Sequence, residues 1–269
     1  MKKFGLIGYP LGHSLSAVIH KAGFKSLGIE ANYEILETPP EELVDRVKYF
    51  KRNDYEGFNV TIPLKLPISL FVQEVDKYAD IAGAVNTVKI NSDKTFKGYN
   101  TDAMGFKKAI PQNLDFSGAN VALLGTGGAS RAAVLALSEL GVKYIGVYTR
   151  NIPNAMDYMA YMRRKFSQIE FESHQIDLVR DLSKYQLLVN TTPIGMLGRS
   201  ADMTPIEENV LRTMPANSTV YDVIYNPKKT ILLKLAEKLG YNTINGLDML
   251  VYQAVAAQEI WFGQTPDFN

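Results

Sequence analysis

The sequence predicts an α/β protein with two α/β domains. Short apolar runs alternate with segments whose apolar residues recur every three or four positions, a pattern typical of strands covered by amphipathic helices. A glycine-rich turn follows one apolar run near residue 125, and a polar segment at 111–120 interrupts the pattern. At 269 residues, the chain is long enough for one large or two ordinary domains. We therefore expect a domain boundary near the polar segment.

Composition and charge favour a small-molecule partner. The 29 Lys and Arg residues nearly balance the 28 Asp and Glu residues, so the chain lacks the positive field that nucleic acid or an anionic membrane attracts. There are no cysteines, and His13, His20 and His174 lack the spacing of a helical metal pair, so we expect no metal. No segment resembles a signal peptide or a membrane span. We expect a cytoplasmic monomer or homodimer with no nucleic-acid or membrane partner.

The first half of the chain predicts a mixed sheet covered by helices. Its apolar runs predict strands at residues 4–8, 33–37, 57–61 and 84–90. Apolar residues at helical spacing predict helices at 16–27 and 41–51. A hairpin-like turn at 91–94 leads into a further strand at 95–99, so we expect one antiparallel pair here.

The second half predicts a regular succession of strands and helices. The predicted strands lie at residues 121–124, 144–148, 186–190 and 219–223. The predicted helices lie at 103–110, from the glycine turn to 140, at 155–166 and at 247–262. We expect residues 1–105, completed by the C-terminal helix 244–269, to form one domain and residues 106–243 to form the other.

The glycine turn indicates a dinucleotide site. It follows a strand, opens a helix, and reads Gly125, Thr126, Gly127, Gly128, Ala129, Ser130. Glycines in such a turn permit a tight bend and close approach of the backbone to a pyrophosphate, whose charge the free N–H groups of the helix N-terminus attract. Ser130 stands at the third glycine position of the GxGxxG pattern, so the match is partial, and a turn without a ligand remains an alternative. The pattern favours a Rossmann-like domain.

The end of the next strand bears on which dinucleotide binds. NAD-binding domains usually carry Asp or Glu there, whereas this strand ends in Thr149, Arg150 and Asn151. The planar guanidinium of Arg150 suits a 2′-phosphate, which favours NADP over NAD. An exposed cation at a strand end is the alternative interpretation of Arg150.

Three polar clusters in the first half suit a small hydroxylated ligand. They lie at residues 13–16, 59–65, and 86–87 with 98–102, at strand ends or helix starts where an open α/β sheet builds its ligand crevice. Hydroxyls, amides, one lysine and one aspartate suit a polyol or a hydroxy acid. Each cluster also has a local explanation, as a helix cap, a turn or a surface charge.

Seven motifs between residues 59 and 254 resemble, in order and spacing, those of the shikimate dehydrogenase family. They read NVTIPLK, AGAVNT, GYNTDAMGF, GTGGASR, NTTPIGM, YDVIYNPKKT and GLDMLVYQA. The resemblance implies an N-terminal substrate domain with a mixed sheet and a C-terminal Rossmann-like NADP-binding domain, with the site in the cleft between them. It also implies the NADP-dependent, reversible reduction of 3-dehydroshikimate to shikimate, a step in aromatic amino acid biosynthesis.

The resemblance assigns substrate roles to positions of this sequence. Lys65 and Asp102 match the family pair at the reacting hydroxyl, and we expect Lys65 to act as acid and base while Asp102 orients that hydroxyl and the ammonium. The residues that match the family's carboxylate site are Ser14, Ser16 and Tyr225. Those that match the positions around the ring hydroxyls are Asn59, Thr61, Asn86 and Gln253.

The resemblance also implies a cofactor site. The pyrophosphate would lie on Gly125, Thr126, Gly127, Gly128 and Ala129, and the 2′-phosphate near Thr149 and Arg150. The ribose and nicotinamide would border Thr191, Thr192, Val223, Gly246 and Met249. The sequence departs from the family pattern at Thr149 and Asn151, where many relatives read Asn-Arg-Thr, and Asn154 stands where a further basic residue is expected. We therefore expect weaker discrimination for NADP than is usual in the family.

Other functions remain open. Ala17 and Lys21 replace the usual residues beside the first motif, which raises the alternative of a quinate/shikimate dehydrogenase that uses NAD or either cofactor. A hydrolase built on His13 and Ser14 is disfavoured, because GHSLS lacks the final glycine of GxSxG. A catalytically silent nucleotide-binding regulator is a third alternative, although a regulator has no need of both Lys65 and Asp102.

Overall fold

The computed structural model describes residues 1–12 and 14–267, and the side chain of Asn154 lies outside that description. His13, a member of the first polar cluster, therefore lies outside the described residues. The described chain contains two six-stranded sheets with helices and divides into two compact units. The first unit is Met1–Gly105 with the chain from Leu250 onward, and the second is Phe106–Met249. The predicted fold class is confirmed.

The first unit holds a sheet of six short strands. These are β1 Lys2–Gly8, β2 Ala31–Glu37, β3 Tyr55–Val60, β4 Glu74–Val75, β5 Thr87–Ile90 and β6 Phe96–Tyr99. The helices that begin in this unit's N-terminal part are α1 Ser16–Ser26, α2 Leu43–Arg52, α3 Lys77–Ala82 and α4 Asp102–Lys108. Short 3-10 helices occupy Pro40–Glu42 and Pro67–Phe71.

The strand order of the first sheet gathers its polar loops at one edge. The order is β2-β1-β3-β5-β6-β4, with β1 parallel to β2 and β3, and with β5 antiparallel to β3 and β6. The chain therefore leaves β1, β3 and β6, and enters β5, at the same edge of the sheet. The segments after residue 8, after residue 60, before residue 87 and after residue 99 meet there. Both the predicted mixed sheet and the predicted antiparallel pair are confirmed.

The second unit holds a fully parallel sheet. Its strands are β7 Asn120–Leu124, β8 Tyr144–Thr149, β9 Glu170–Gln175, β10 Leu187–Asn190, β11 Thr219–Asp222 and β12 Asn242–Ile244. The helices that follow α4 along the chain are α5 Gly128–Glu139, α6 Ile152–Lys165, α7 Glu208–Leu211, α8 Ile231–Lys238 and α9 Gly246–Phe262. A short 3-10 helix spans Ile176–Leu178.

The order of the second sheet is that of a Rossmann fold. It runs β12-β11-β10-β7-β8-β9, so the chain starts in the middle, moves to one edge, and then returns to build the other half. The direction reverses between β7 and β10. Open sheets of this kind bind their ligands outside the carboxyl ends of the strands at such a switch point.

Each unit has its own apolar core. In the second, the β7 residues Val121 to Leu124 are fully buried, as expected for a parallel strand covered on both faces. In the first, Trp261 of α9 stacks on Phe4 with ring centroids 4.5 Å apart and donates its Nε1–H to the Val88 carbonyl at 3.1 Å. Gly57 leaves the room for this indole, since a Cβ there would lie 2.4 Å from Trp261 Nε1.

Several elements differ from the sequence predictions. The strand predicted at 84–90 is wrong in length, since only Thr87–Ile90 is a strand and the Val85 N–H is bonded to the Lys65 carbonyl. The elements that the apolar pattern did not predict are β4, α3, β9, α7, α8 and β12. Most of these are short or rich in polar residues. Helix α8 did carry a signal, because Thr230 caps it by accepting from the Leu233 N–H.

Candidate active site

A buried ion pair lies at the loop edge of the first sheet. Lys65 and Asp102 are 37 residues apart in sequence, yet Lys65 Nζ donates directly to Asp102 Oδ2. Their side chains are only 13% and 6% exposed, so the two charges are largely withdrawn from water. Lys65 follows β3, and Asp102 is the first residue of α4, directly beyond β6. The strand order thus brings together two groups that the sequence keeps far apart.

An amide holds the other oxygen of the Asp102 carboxylate. Asn86 Nδ2 donates to Asp102 Oδ1 at 2.8 Å and to Thr101 Oγ1 at 2.9 Å. The orientation of this amide is fixed, because its Oδ1 accepts from the Thr101 backbone N–H at 2.8 Å, and that group can only donate. Gln253 of α9 reaches the same place, with its Oε1 3.4 Å from Asn86 Nδ2.

A second amide continues the cluster away from the ion pair. Asn59, at 4% exposure, lies in β3 opposite Thr87 of β5 and donates from Nδ2 to Thr87 Oγ1 at 2.9 Å. Sequence reasoning assigned no role to Thr87, Thr101 or Tyr33, whose hydroxyls complete this network. The first two lie in polar clusters that the sequence marked, whereas nothing local distinguished the tyrosine.

The remaining substrate-site candidates of this unit lie in the loops after β1 and β3 and at the start of α1. Ser14 Oγ accepts from the Ser16 backbone N–H at 3.3 Å and lies 3.1 Å from Ser16 Oγ. Thr61 directly follows β3, where its carbonyl accepts from the Leu64 N–H. Among the described residues, no hydrogen bond joins these three hydroxyls to Lys65 or Asp102. Their contribution to a substrate site stays a prediction.

The glycine turn of the second unit has the geometry that a dinucleotide requires. Gly125 directly follows β7 with a φ of +102°, in the left-handed region that favours glycine. A Cβ at this position would meet Thr191 Oγ1 at 2.9 Å, whereas a Cβ on Gly127 would meet nothing within 4 Å. Gly127 caps α5 without a side-chain hydrogen bond, while Gly128 and Ala129 begin the helix. Backbone N–H groups at the start of α5 therefore remain available to a phosphate.

Two further loops at the carboxyl edge of the second sheet pack against their neighbouring strands. Thr191, after β10, donates from Oγ1 to the carbonyl of Leu124, the last residue of β7, at 2.6 Å. Gly246, at the start of α9, lies so close to β11 that a Cβ would be 1.9 Å from the Val223 carbonyl oxygen. Only glycine fits there. Met249, one turn further along α9, is buried.

The residues predicted to contact a 2′-phosphate lie at the end of β8. Thr149 is the last residue of the strand, and its Oγ1 accepts from the Asn151 N–H at 3.3 Å. Thr126 follows Gly125 in the neighbouring turn, and Arg150 is exposed directly after β8. Tyr225 belongs to the second unit, in the loop after β11, and its predicted part in substrate binding stays a prediction.

Asp222 is a buried carboxylate that sequence reasoning did not single out. Its Oδ1 accepts from Asn190 Nδ2 at 3.0 Å and from the Ile224 N–H at 3.1 Å, and its Oδ2 accepts from Thr230 Oγ1 at 2.7 Å. Asn190 Oδ1 in turn accepts from the backbone N–H and hydroxyl of Thr192 at 3.0 and 2.7 Å. Burial raises the pKa of Asp222 to about 6, although these hydrogen bonds oppose the shift. The Asp222 side chain therefore connects the end of β10 with the segment that follows β11.

A Rossmann sheet with an open glycine turn, together with a buried Lys–Asp pair among amides and hydroxyls, defines a nucleotide-dependent oxidoreductase of small hydroxylated substrates. Known proteins narrow this class. A family described as "Shikimate dehydrogenase substrate binding domain" matches residues 6–88, and "Shikimate 5'-dehydrogenase C-terminal domain" matches residues 246–269. The shikimate dehydrogenase (NADP(+)) of Methanococcus maripaludis is 38% identical over 270 residues, with 99% of this chain and 93% of the relative covered. The chain belongs to the shikimate dehydrogenase family.

Solved structures agree with this assignment. A crystal structure of a shikimate dehydrogenase in complex with NADP+ has a TM-score of 0.87 and 35% identity, covering 99% of this chain and 92% of the other. The Listeria monocytogenes shikimate 5-dehydrogenase, in complex with shikimate and NAD, has a TM-score of 0.83 and 29% identity, covering 99% and 93%. The predictions of the family, of an NADP-dependent oxidoreductase and of NADP as cofactor are confirmed.

No helix in the part of the chain that the structure describes is long and apolar enough to cross a membrane. Within the same residues, no group of three or more His, Cys, Asp or Glu side chains could hold a metal ion.

The raised pKa of Asp222 predicts a specific pH dependence of stability. Its pKa rises from 3.8 to about 6 on folding, so between these values the folded state binds more protons than the unfolded state. The contribution of Asp222 to the free energy of unfolding therefore falls as pH rises through that range. Asp222→Asn keeps the shape and removes the titration. We expect the free energy of unfolding of the wild type, minus that of Asp222→Asn, to fall by about 1–3 kcal/mol between about pH 4 and pH 6.5.

Urea unfolding at a series of pH values measures this difference. Asp181→Asn is the matched control, because the Asp181 carboxylate is exposed and its hydrogen bonds to Ser183 lower its pKa. The free energy of unfolding of the wild type, minus that of Asp181→Asn, should not fall over the same pH range. Parallel curves for the wild type and Asp222→Asn would show that Asp222 does not titrate as its burial requires.

Proposed function

We propose that the protein catalyses the NADP-dependent, reversible reduction of 3-dehydroshikimate to shikimate. The observation that carries the proposal is the contact between Lys65 Nζ and the Asp102 carboxylate, placed among the amides of Asn59, Asn86 and Gln253. An ammonium that is paired with a carboxylate and nearly withdrawn from water suits a group that moves a proton at a substrate hydroxyl. Residues 1–105 with the C-terminal helix act as the substrate domain, and residues 106–243 act as the dinucleotide-binding domain.

The side chains of the first unit supply the proton chemistry. Lys65, as the free amine, takes the proton of the reacting hydroxyl when shikimate is oxidised, and as the ammonium it returns a proton to the carbonyl oxygen in the reverse direction. Asp102 accepts a hydrogen bond from Lys65 and so fixes the direction of the Nζ–H groups. Asn86 holds the other carboxylate oxygen, so Asp102 cannot turn away. Asn59, Thr61 and Gln253 bind the ring hydroxyls.

The second unit holds the cofactor. When bound there, NADP would supply the hydride acceptor for the oxidation and the hydride donor for the reduction. Gly125, Gly127 and the first turn of α5 bind its pyrophosphate, supported by the open space beside Gly127. Thr149 and Arg150 lie where the 2′-phosphate is expected, at the end of the second strand of a Rossmann sheet. Ser14, Ser16 and Tyr225 bind the substrate carboxylate.

Location and assembly follow from the same proposal. A reaction that exchanges hydride with NADP draws on the intracellular pool of this cofactor, so we place the protein in the cytoplasm. For its assembly, we propose a monomer or a homodimer. Two alternatives remain: a dehydrogenase for quinate as well as shikimate with either cofactor, and a regulator that binds nucleotide without turnover. The broader dehydrogenase gains support from the sequence, because Arg150 is the only basic residue among positions 149–154. A single cation gives only a weak preference for NADP over NAD.

A spectrophotometric assay separates these functions. Shikimate and quinate are each paired with NADP and with NAD, and nicotinamide reduction is followed by absorbance. We expect the largest kcat/KM for shikimate with NADP. Equal or greater efficiency with quinate or NAD would favour the broader dehydrogenase. Measurable NADP binding with no turnover of either substrate would instead identify a regulator.

Removal of the Lys65 amine tests its role in proton transfer. Lys65→Ala should lower kcat by at least about 10²-fold with a modest change in the KM for shikimate, because the hydroxyl proton loses its acceptor. Asp102→Asn should lower kcat as well. Lys94→Ala is the matched control, since Lys94 forms an exposed ion pair with Asp54. Near-normal turnover by Lys65→Ala would remove Lys65 from this role.

The Arg150 guanidinium is predicted to determine cofactor preference. Arg150→Ala should raise the KM for NADP by about tenfold or more and change the KM for NAD by less than about twofold, because NAD has no 2′-phosphate. Steady-state kinetics with shikimate at saturation provide both values. Arg212→Ala, which removes an exposed cation from the same unit, should change neither. Equal effects on the KM values for the two cofactors would contradict a contact between Arg150 and the 2′-phosphate.

A further inference from the structure

We infer that Tyr33 is a positioning residue for substrate recognition. Its hydroxyl holds the Asn59 amide in a single orientation. The inference rests on the proposed function, because Asn59 matters in this way only if the site binds shikimate. Tyr33 itself lies in β2 and is 2% exposed. It acts through Asn59, whose Oδ1 accepts from the Tyr33 hydroxyl at 2.7 Å.

The direction of this hydrogen bond follows from a backbone group. Asn59 Nδ2 lies 3.3 Å from the carbonyl oxygen of Asn86, which can only accept. A flipped Asn59 amide would turn its own oxygen toward that carbonyl, and two acceptors would face each other in a buried place. The amide nitrogen must therefore point to Asn86, and the amide oxygen must point to Tyr33. The phenol is then the donor.

A one-way series of hydrogen bonds connects Tyr33 to the ion pair. Asn59 donates to Thr87 Oγ1 at 2.9 Å, and the Thr87 hydroxyl donates to Asn86 Oδ1 at 3.2 Å. Asn86 then donates to the Asp102 carboxylate at 2.8 Å. Every link points toward the negative charge, and hydrogen bonds aligned in this way polarise and strengthen one another. Tyr33 is the first donor in this series.

The reach of a tyrosine is required at this position. Tyr33 pairs with Phe4 and Asn59 pairs with Leu6, so β1 lies between the two strands that carry the donor and the acceptor. Strands separated by one intervening strand are about 9.6 Å apart. A serine or threonine hydroxyl on β2 could not span that distance, and phenylalanine would fill the space without donating.

His20 and Gln258 hold the Tyr33 ring in place. The His20 imidazole stacks on it with centroids 4.3 Å apart and planes only 8° from parallel. Burial lowers the pKa of His20 to about 3, so the imidazole is neutral, and its Nδ1 lies 3.2 Å from Gln258 Nε2. Burial also raises the pKa of Tyr33, so the phenol keeps the proton that it donates. The donor is thus fixed in both position and protonation state.

Substitution of the single hydroxyl tests the inference. Tyr33→Phe keeps the ring and its stacking, so the fold should be retained. We expect the KM for shikimate to rise by about tenfold, as for loss of one buried hydrogen bond, with kcat changed by less than about twofold. Tyr55→Phe is the matched control, because Tyr55 also donates from the same sheet, to Glu34 Oε2 at 2.6 Å, but outside this series. The KM of Tyr55→Phe for shikimate should equal that of the wild type.

A double-mutant cycle distinguishes positioning from a general loss of stability. In an Asn59→Ala background, Tyr33→Phe should raise the KM no further, because the residue through which it acts is gone. A merely structural tyrosine would change the melting temperature, and its effect on KM, if any, would multiply with that of Asn59→Ala. Either an unchanged KM in the single variant or independent effects in the cycle would overturn the inference.

Thr87 provides a second site on the same series, should Tyr33→Phe fail to fold. Thr87→Val interrupts the series one link further on and should raise the KM for shikimate in the same way, whereas Thr87→Ser keeps the hydroxyl and should restore it. An unchanged KM in Thr87→Val would contradict the inference. If the wild-type protein does not turn over shikimate, the proposed function fails and this inference fails with it. If the wild type is active but Tyr33→Phe and Asn59→Ala affect the KM independently, the positioning role is refuted and the proposed function stands.

Discussion

The first unit depends on the placement of two opposite charges away from water. Removing a lysine and an aspartate from solvent costs several kcal/mol for each ion, and the cost is offset only where the two meet and their remaining hydrogen-bonding groups are satisfied. Lys65 and Asp102 meet because β5 runs antiparallel between β3 and β6, so that the loops carrying them open at one edge. Asn86 then satisfies the second carboxylate oxygen. Topology, and not sequence proximity, creates this pair.

In the second unit, as in the first, the strand order places loops from different parts of the chain close together. The carboxyl ends of its parallel strands also lie together, but the groups proposed to bind the cofactor here are backbone N–H groups, and the loops are shaped by glycines that lack a Cβ. Gly125 and Gly246 lie where a Cβ would collide with Thr191 or with the Val223 carbonyl. Asp222 ties the loop after β10 to the loop after β11 through Asn190 and Thr230. Glycines thus permit close backbone approach at two positions, and a buried carboxylate connects two of the loops.

Much of this arrangement could be predicted from sequence, and the failures have physical causes. The glycine turn and the strand before it are local signals, because a turn or a parallel strand restricts its own residue types. The roles of Lys65 and Asp102 were instead implied by the resemblance of their motifs to those of a family. Tyr33 and Asp222 gave no such signal. Each acts through partners on other strands, and a tyrosine in a β-strand or an aspartate at its end is common for reasons unrelated to function. Strand β9 was missed since its polar residues obscure the period, and β4 since two residues carry no period at all.

The indole of Trp261 has a practical consequence. The sequence contains a single tryptophan, and it is buried in the core of the first unit against Phe4, with its ring nitrogen bonded to the Val88 carbonyl. Selectively excited fluorescence therefore reports on one half of the molecule alone. Compared with circular dichroism, which averages over every helix, it distinguishes sequential from concerted denaturation without any added label.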